Sequence, residues 1–257
     1  MIDWLHTLPN AGIGILILSI GLSVSTLIPF YIRRHYRLEP SEPLAKGAEE
    51  SFKLFTSLTL LLLAFCLVRV QGDHRNVEDL VAREASIIFK LNRALAGFDS
   101  GDAAALQVKT RVYAESMVND EWPLLAKGQR SATTSTLLAE MTQGCRQLEA
   151  KTPVQQLARS EVLGTLTQMS DVREARLSAA RLSLPFYYWQ ALSCAITLLV
   201  IFGWFQSPLP KMAAYVGGVT LGISLLLTVL IATEGLFVGE SRVTAAAISQ
   251  LLPLLGK

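Results

Sequence analysis

The sequence predicts an all-α, polytopic membrane protein: four transmembrane helices, with an extramembrane helical bundle inserted between the second and the third. Three observations carry this. Four stretches, 11–31, 54–68, 186–206 and 213–233, contain no charged residue. The composition is 51% hydrophobic and only 17% charged, where soluble domains carry roughly 25%. The stretch 71–185 repeats its apolar residues at helical spacing and shows no alternating strand pattern.

Span one, from Ala11 to Tyr31, is long enough at about 1.5 Å per residue to cross a hydrocarbon layer of about 30 Å. The competing reading is a cleaved signal peptide. Against it, Asp3 but no Lys or Arg precedes the run, which is too long for such a segment and is followed by no A-x-A site. Span two, from Leu54 to Val68, is short by itself and becomes a span when Lys53 and Arg69 reach outward from its ends. Residues 1–70 thus form a first membrane section.

The insert, 71–185, divides at "AGFDSGD", "EWPLLAKGQRS" and "AKTP" into about four helices. Its first helix places Val77, Val81, Ile88, Leu91 and Leu95 near one stripe, and a later one places Leu137, Leu138, Met141, Cys145 and Leu148 on another. The last opens with Thr152 as an N-cap and Pro153 in the first turn, and carries Leu157, Val162, Leu166, Met169, Val172 and Leu177. The first and last insert helices are expected to continue the membrane spans. Phe186 to Gln206 and Ala213 to Thr233, joined by "SPLPKM", form a membrane hairpin, section 186–233. The tail, 234–257, is amphipathic: Val243, Ala247, Ile248, Leu251, Leu252 and Leu255 follow helical spacing until Pro253 disturbs it. So apolar a tail is expected to pack on the bundle, a neighbouring subunit or the bilayer surface, as an assembly or gating element.

A net charge of +2 offers no basic footprint for nucleic acid. His6, His35 and His74 have no metal-ligand spacing, and neither a phosphate-binding glycine loop nor a serine elbow occurs, so no enzyme, cofactor or metal is expected. Cys66, Cys145 and Cys194 suggest no disulfide within one compartment.

"HRNVEDLVAREASIIFKLNRAL" after span two, "YAESMVNDEWPLL" in the insert, "REARLSAARLSLPFYYW" before span three and "GLFVGESRVTAAAISQL" after span four resemble the bestrophin-like family of bacterial membrane proteins. That family is similar in layout to the bestrophin anion channels. The resemblance implies a homo-oligomer in the bacterial inner membrane, with the lipid bilayer, other copies of itself and small inorganic anions as partners. Family members often carry a Pro-Phe-x-Gly turn after span four; here Leu236 stands at the proline position, ahead of Phe237 and Gly239.

Span two is the candidate conduit. Phe52, Thr56, Thr59, Leu63 and Cys66 recur at spacings of four and three and share a mildly polar face. Copies around an axis would give rings of hydroxyls and an apolar neck, with Lys53 and Arg69 at the mouths to attract anions. The competing reading is ordinary packing, since Thr is enriched between helices inside membranes.

Two other groups stand out. Glu84 lies about 22 Å beyond Arg69 along a helix, and Arg173 about 20 Å before Phe186 on the returning helix, so Glu84 is expected to pair with Arg173 or Arg176. Gly218 and Gly222, and Gly21 and Ser25, have the spacing that lets membrane helices approach closely, within one chain or between subunits. Tyr113, Glu121, Trp122 and Pro123 allow two readings: the indole or the carboxylate as part of a ligand pocket, or, the favoured one, Trp122 as a buried anchor and Pro123 as a helix terminator.

Orientation is read from Lys and Arg. The first ten residues have neither, while Arg33, Arg34, Arg37, Lys46 and Lys53 follow span one, which puts the insert and both termini outside the cytoplasm. The bestrophin layout implies the opposite. A function of another class also fits the pattern: a non-conducting sensor or scaffold that binds a ligand or partner through its bundle.

Overall fold

The computed structural model describes residues 9–36, 40–98, 100–206 and 210–255. Helix α1 (Asn10–Leu22) passes through a π-helical turn, Ser23–Leu27, into α2 (Ile28–Tyr36). Helix α3 (Glu42–Ala96) is unbroken over 55 residues. Helix α4 (Gly101–Ser116) runs through a second π-helical turn, Met117–Glu121, into the short α5 (Trp122–Leu125). Next along the chain are helices α6 (Ala132–Gln147), α7 (Pro153–Ala179), α8 (Phe186–Trp204), α9 (Pro210–Glu234) and α10 (Ala246–Leu251). No described residue lies in a strand. Four segments are long and apolar enough to cross a membrane: Asn10–His35, Glu42–Ala96, Phe186–Trp204 and Lys211–Glu234. The chain is an all-α, four-span membrane protein. Asp3, His6 and part of the "SPLPKM" turn, at 207–209, lie outside the described residues.

The chain divides into two compact units, one holding the described residues up to Gly72 with Ser183–Arg242, the other Asp73–Leu182 with the residues from Val243 on. In the first unit α1 packs chiefly along α9. Phe52, Leu63, Cys66 and Val70 of α3 form its core with Leu192, Leu199, Val216, Ile223 and Leu230. At most 28% of the most apolar window of any span is buried, so most of the apolar surface faces outward, as a hydrocarbon solvent permits. Helix ends are satisfied inside the unit. Arg33 Nη2 donates to the Trp204 and Gln206 carbonyls at the end of α8, where a cation complements the helix dipole. Glu234 accepts from the Leu184 backbone N–H and from Trp189 Nε1, both at 3.3 Å.

In the second unit Val77, Val81, Ile88, Leu91 and Leu95 of α3 are all buried, as are Leu138, Met141, Cys145 and Leu148, and Val162, Leu166, Met169, Val172 and Leu177. Leu137 is half-buried, and Leu157 is 73% exposed, because the apolar stripe of α7 is covered only from Val162 onward. Side-chain caps start α4, α6 and α7. Ser100 accepts from Ala103 N, Ser131 from Thr134 N, and Thr152 and Gln155 form a reciprocal capping box. Gly128, at φ 63°, turns the chain after α5, a conformation that glycine adopts without a Cβ clash. Pro123 sits in the first turn of α5 instead of ending a helix, because its missing N–H is harmless there.

The first insert helix does continue a span, as α3. The last does not: α7 ends at Ala179, and 180–185 are non-helical, since Pro185 biases Leu184 away from helix. In the tail, α10 packs on α4 and buries Ile248 and Leu251, and Trp122 Nε1 donates to the Val243 carbonyl at 3.3 Å. Pro253 falls in a closing 3-10 turn, Leu252–Leu254.

Candidate functional site

The stripe of span two nominated for a conduit lies inside the chain. Phe52 is 3% exposed, and Leu63, Cys66 and Thr59 are fully buried. Burying the hydroxyls costs little, because Thr56 donates to the Phe52 carbonyl and Thr59 to the Phe55 carbonyl, each at 2.7 Å. Within the chain, Phe52, Leu63 and Cys66 of this stripe pack in a core with residues of the third and fourth spans. Lys53 and Arg69 are exposed, and Lys53 pairs with Glu49 at 2.6 Å. The opposite side of the helix is uncovered: Leu54, Leu58, Leu61, Phe65 and Val68, at spacings of four and three, are at least 50% exposed.

The small residues divide in the same way. A Cβ on Gly21 would stand 3.0 Å from both Ser224 Oγ and Thr220 Cγ2, so glycine is what lets α1 approach α9. Buried Ser25 accepts from Thr220 Oγ1 at 2.9 Å. Gly218 and Gly222 meet nothing within 4 Å, and the face of α9 that packs within the chain is the one bearing Thr220 and Ser224.

The insert holds a buried network of four charges. Arg176 Nε donates to Glu84 Oε2 at 2.6 Å, and Arg176 Nη2 reaches Glu121 Oε2 at 2.9 Å. Arg173 grips both oxygens of Glu121 and also donates to Ser135 Oγ at 2.9 Å. Glu84, Glu121 and Arg176 are fully buried, and Arg173 is nearly so. The indole of Trp122 stacks over the Arg176 guanidinium at 5.2 Å. The structure therefore joins Glu84 to Arg176, while Arg173 turns to Glu121.

Glu121 stands out in the sequence beside Trp122, but sequence reasoning missed its place in this network. It reaches the interior because the π-turn Met117–Glu121 inserts one extra residue into the helix, which swings the later side chains by about 100° and returns Glu121 to the Tyr113 side. A carboxylate next to the apolar "WPLL" was the one available signal.

Burial alone would raise the Glu121 carboxyl, but the hydrogen bond from Arg173 and the charges of both guanidiniums outweigh it and hold the group below its ordinary range. Burial pushes the Tyr113 phenol well up, and the Glu84 carboxylate beside it adds to this. Burial would lower Arg173, but Glu121 outweighs it and leaves Arg173 raised. Burial raises the Glu84 carboxyl above its ordinary range against the pull of Arg176, and the network ties α3, the π-turn, α6 and α7 together without a nucleophile poised beside a base. Arg176 Nη1 and Tyr113 Oη remain without hydrogen-bond partners. Burial lifts the Cys145 thiol to about 11, which keeps it protonated and inert. Among the described residues no three His, Cys, Asp or Glu side chains gather as a metal site would need.

Known proteins share both the sequence pattern and the fold. The model of the Bestrophin-like domain matches residues 20–248. A crystal structure of a bacterial Bestrophin homolog from Klebsiella pneumoniae is similar in fold, with a TM-score of 0.69 at 13% identity, covering 94% of this chain and 96% of that one. A single-substitution variant of a Klebsiella pneumoniae homolog gives a TM-score of 0.70 at 12% identity, with 94% and 97% covered. A third crystal structure, described as that of a membrane protein, gives 0.67 at 11% identity, again with 94% and 97% covered. No curated protein matches the chain by sequence.

Proposed function

Since this chain belongs to the Bestrophin-like family, we propose that it works as a homo-oligomeric, channel-like membrane protein, conducting small inorganic anions along span two. The observation that carries this is the uncovered row Leu54, Leu58, Leu61, Phe65 and Val68, each at least 50% exposed in the single chain. Repeated around an axis, such a row makes a narrow apolar constriction that gates by wetting and drying. Lys53 and Arg69, at the two ends of the apolar run, raise the local anion concentration at the mouths. The face with Phe52, Thr59, Leu63 and Cys66 holds the helix in its subunit, and the opposite face lines the conduit.

The test is a planar bilayer under a chloride gradient. A current that reverses near the chloride equilibrium potential is expected. Leu61→Ser, on the uncovered row, should raise the conductance, and Thr59→Val, on the buried face, should leave it unchanged. A silent bilayer, with assembled protein verified in it, would overturn the proposal in favour of a non-conducting sensor or scaffold acting through the bundle.

A further inference from the structure

A groove of about 320 Å³ opens in the transmembrane unit. All four spans wall it, through Ile20 and Val24 on the first, Phe52 on the second, Val200 on the third, and Val219 and Ile223 on the fourth. No charged side chain lines it. Of its three hydroxyl side chains, Ser25 and Thr220 bond each other, Ser224 is the third, and the rest of the lining is apolar.

The groove reaches from hydrocarbon depth toward one end of the spans, where Phe52 borders the apolar run 54–68 and Gly203 nears the end of Phe186–Trp204. Ile20 and Val24 stand near the middle of Asn10–His35, and Ile223 near the middle of Lys211–Glu234. Its shape is held from both sides. The π-turn of span one borders it, and Trp204 Nε1 donates to the Val24 carbonyl there at 2.9 Å. Gly203 lets the Phe52 ring come within 3.4 Å of where a Cβ would sit. The groove is partly open to the hydrocarbon that surrounds the unit, and a peptide strand would find no backbone partners in it.

We propose that this groove seats one hydrocarbon chain of a membrane lipid, with its length against Phe52. The site needs only that the four helices span a bilayer, and it places a lipid in contact with the helix that also bears the uncovered row.

The test uses the full chain in phosphatidylcholine vesicles containing a small fraction of phosphatidylcholine with a diazirine in one acyl chain. After photolysis, adducts are mapped by peptide mass spectrometry. Adducts at Val24, Val200 and Val219 are expected at several-fold the level found on exposed Ile15 and Leu225. Val219→Phe and, separately, Ile20→Phe should remove the groove adducts while leaving those on Leu225 and the elution volume of the assembly unchanged. An even spread of adducts over all exposed apolar positions in the unsubstituted protein would overturn the proposal without any variant. So would groove residues cross-linked to a second copy, or a subunit number altered by the filling substitutions, either of which makes the groove an interface between chains.

Discussion

Glu121 binds both arginines, and Arg176 binds both glutamates, so each side chain of the network compensates a charge that would otherwise be buried alone. Replacing Glu121 by Gln leaves an uncompensated positive charge among fully buried groups, and a loss of about 3–5 kcal/mol is expected in thermal unfolding of the detergent-solubilised protein. The network also predicts a pH response. Two guanidiniums hold the folded Glu121 carboxyl below its ordinary range against the effect of burial, and the unfolded group titrates near about 4.3. The stability it contributes is therefore complete above the unfolded value and is lost as pH falls through the folded one. Over that acidic window the melting temperature of Glu121→Gln should fall less steeply than that of the unsubstituted chain.

Between helices, close approach is decided by which small residues face a neighbour. Gly21 has no room for a Cβ, whereas Gly222 has nothing within 4 Å. Gly21→Leu is expected to push α1 off α9 and lower the melting temperature of the solubilised protein. Gly222→Leu should leave the fold of the single chain intact. Chemical cross-linking and light scattering then tell whether it changes subunit number, as it will if that face meets another copy. The sequence spacing treats the two glycine-containing motifs alike; the helices' rotation about their own axes separates them.

For the molecule in its membrane, the family and the four spans establish a membrane location, and orientation is the property still to be measured. Arg33, Arg34, Arg37, Lys46 and Lys53 follow span one, and the first ten residues hold no Lys or Arg, so positive-inside counting predicts the insert outside the cytoplasm. Exposed Gln129 offers a probe: Gln129→Cys should react in intact cells with a membrane-impermeant maleimide. Protection until the cells are lysed would reverse the assignment and place the insert in the cytoplasm, as the layout of the bestrophin anion channels implies.

The sequence by itself determined the helical class and the four spans. Hydropathy and period are local sums along the chain, and a bilayer or a helix reads them wherever the chain folds. The family was legible too, in the order and spacing of four short motifs. Tertiary structure alone decided which face each helix turns inward. In span two, Phe52, Thr59, Leu63 and Cys66 are buried within the chain, and Thr56 and Thr59 satisfy their hydroxyls on carbonyls four residues back. The height of Glu84 could be counted along a helix, which is why Arg173 and Arg176 came into view as neighbours. Glu121 could not, because a π-turn breaks the 3.6-residue count on which such reasoning rests. Where one inserted residue rotates everything after it, only the packed structure decides what the side chain meets.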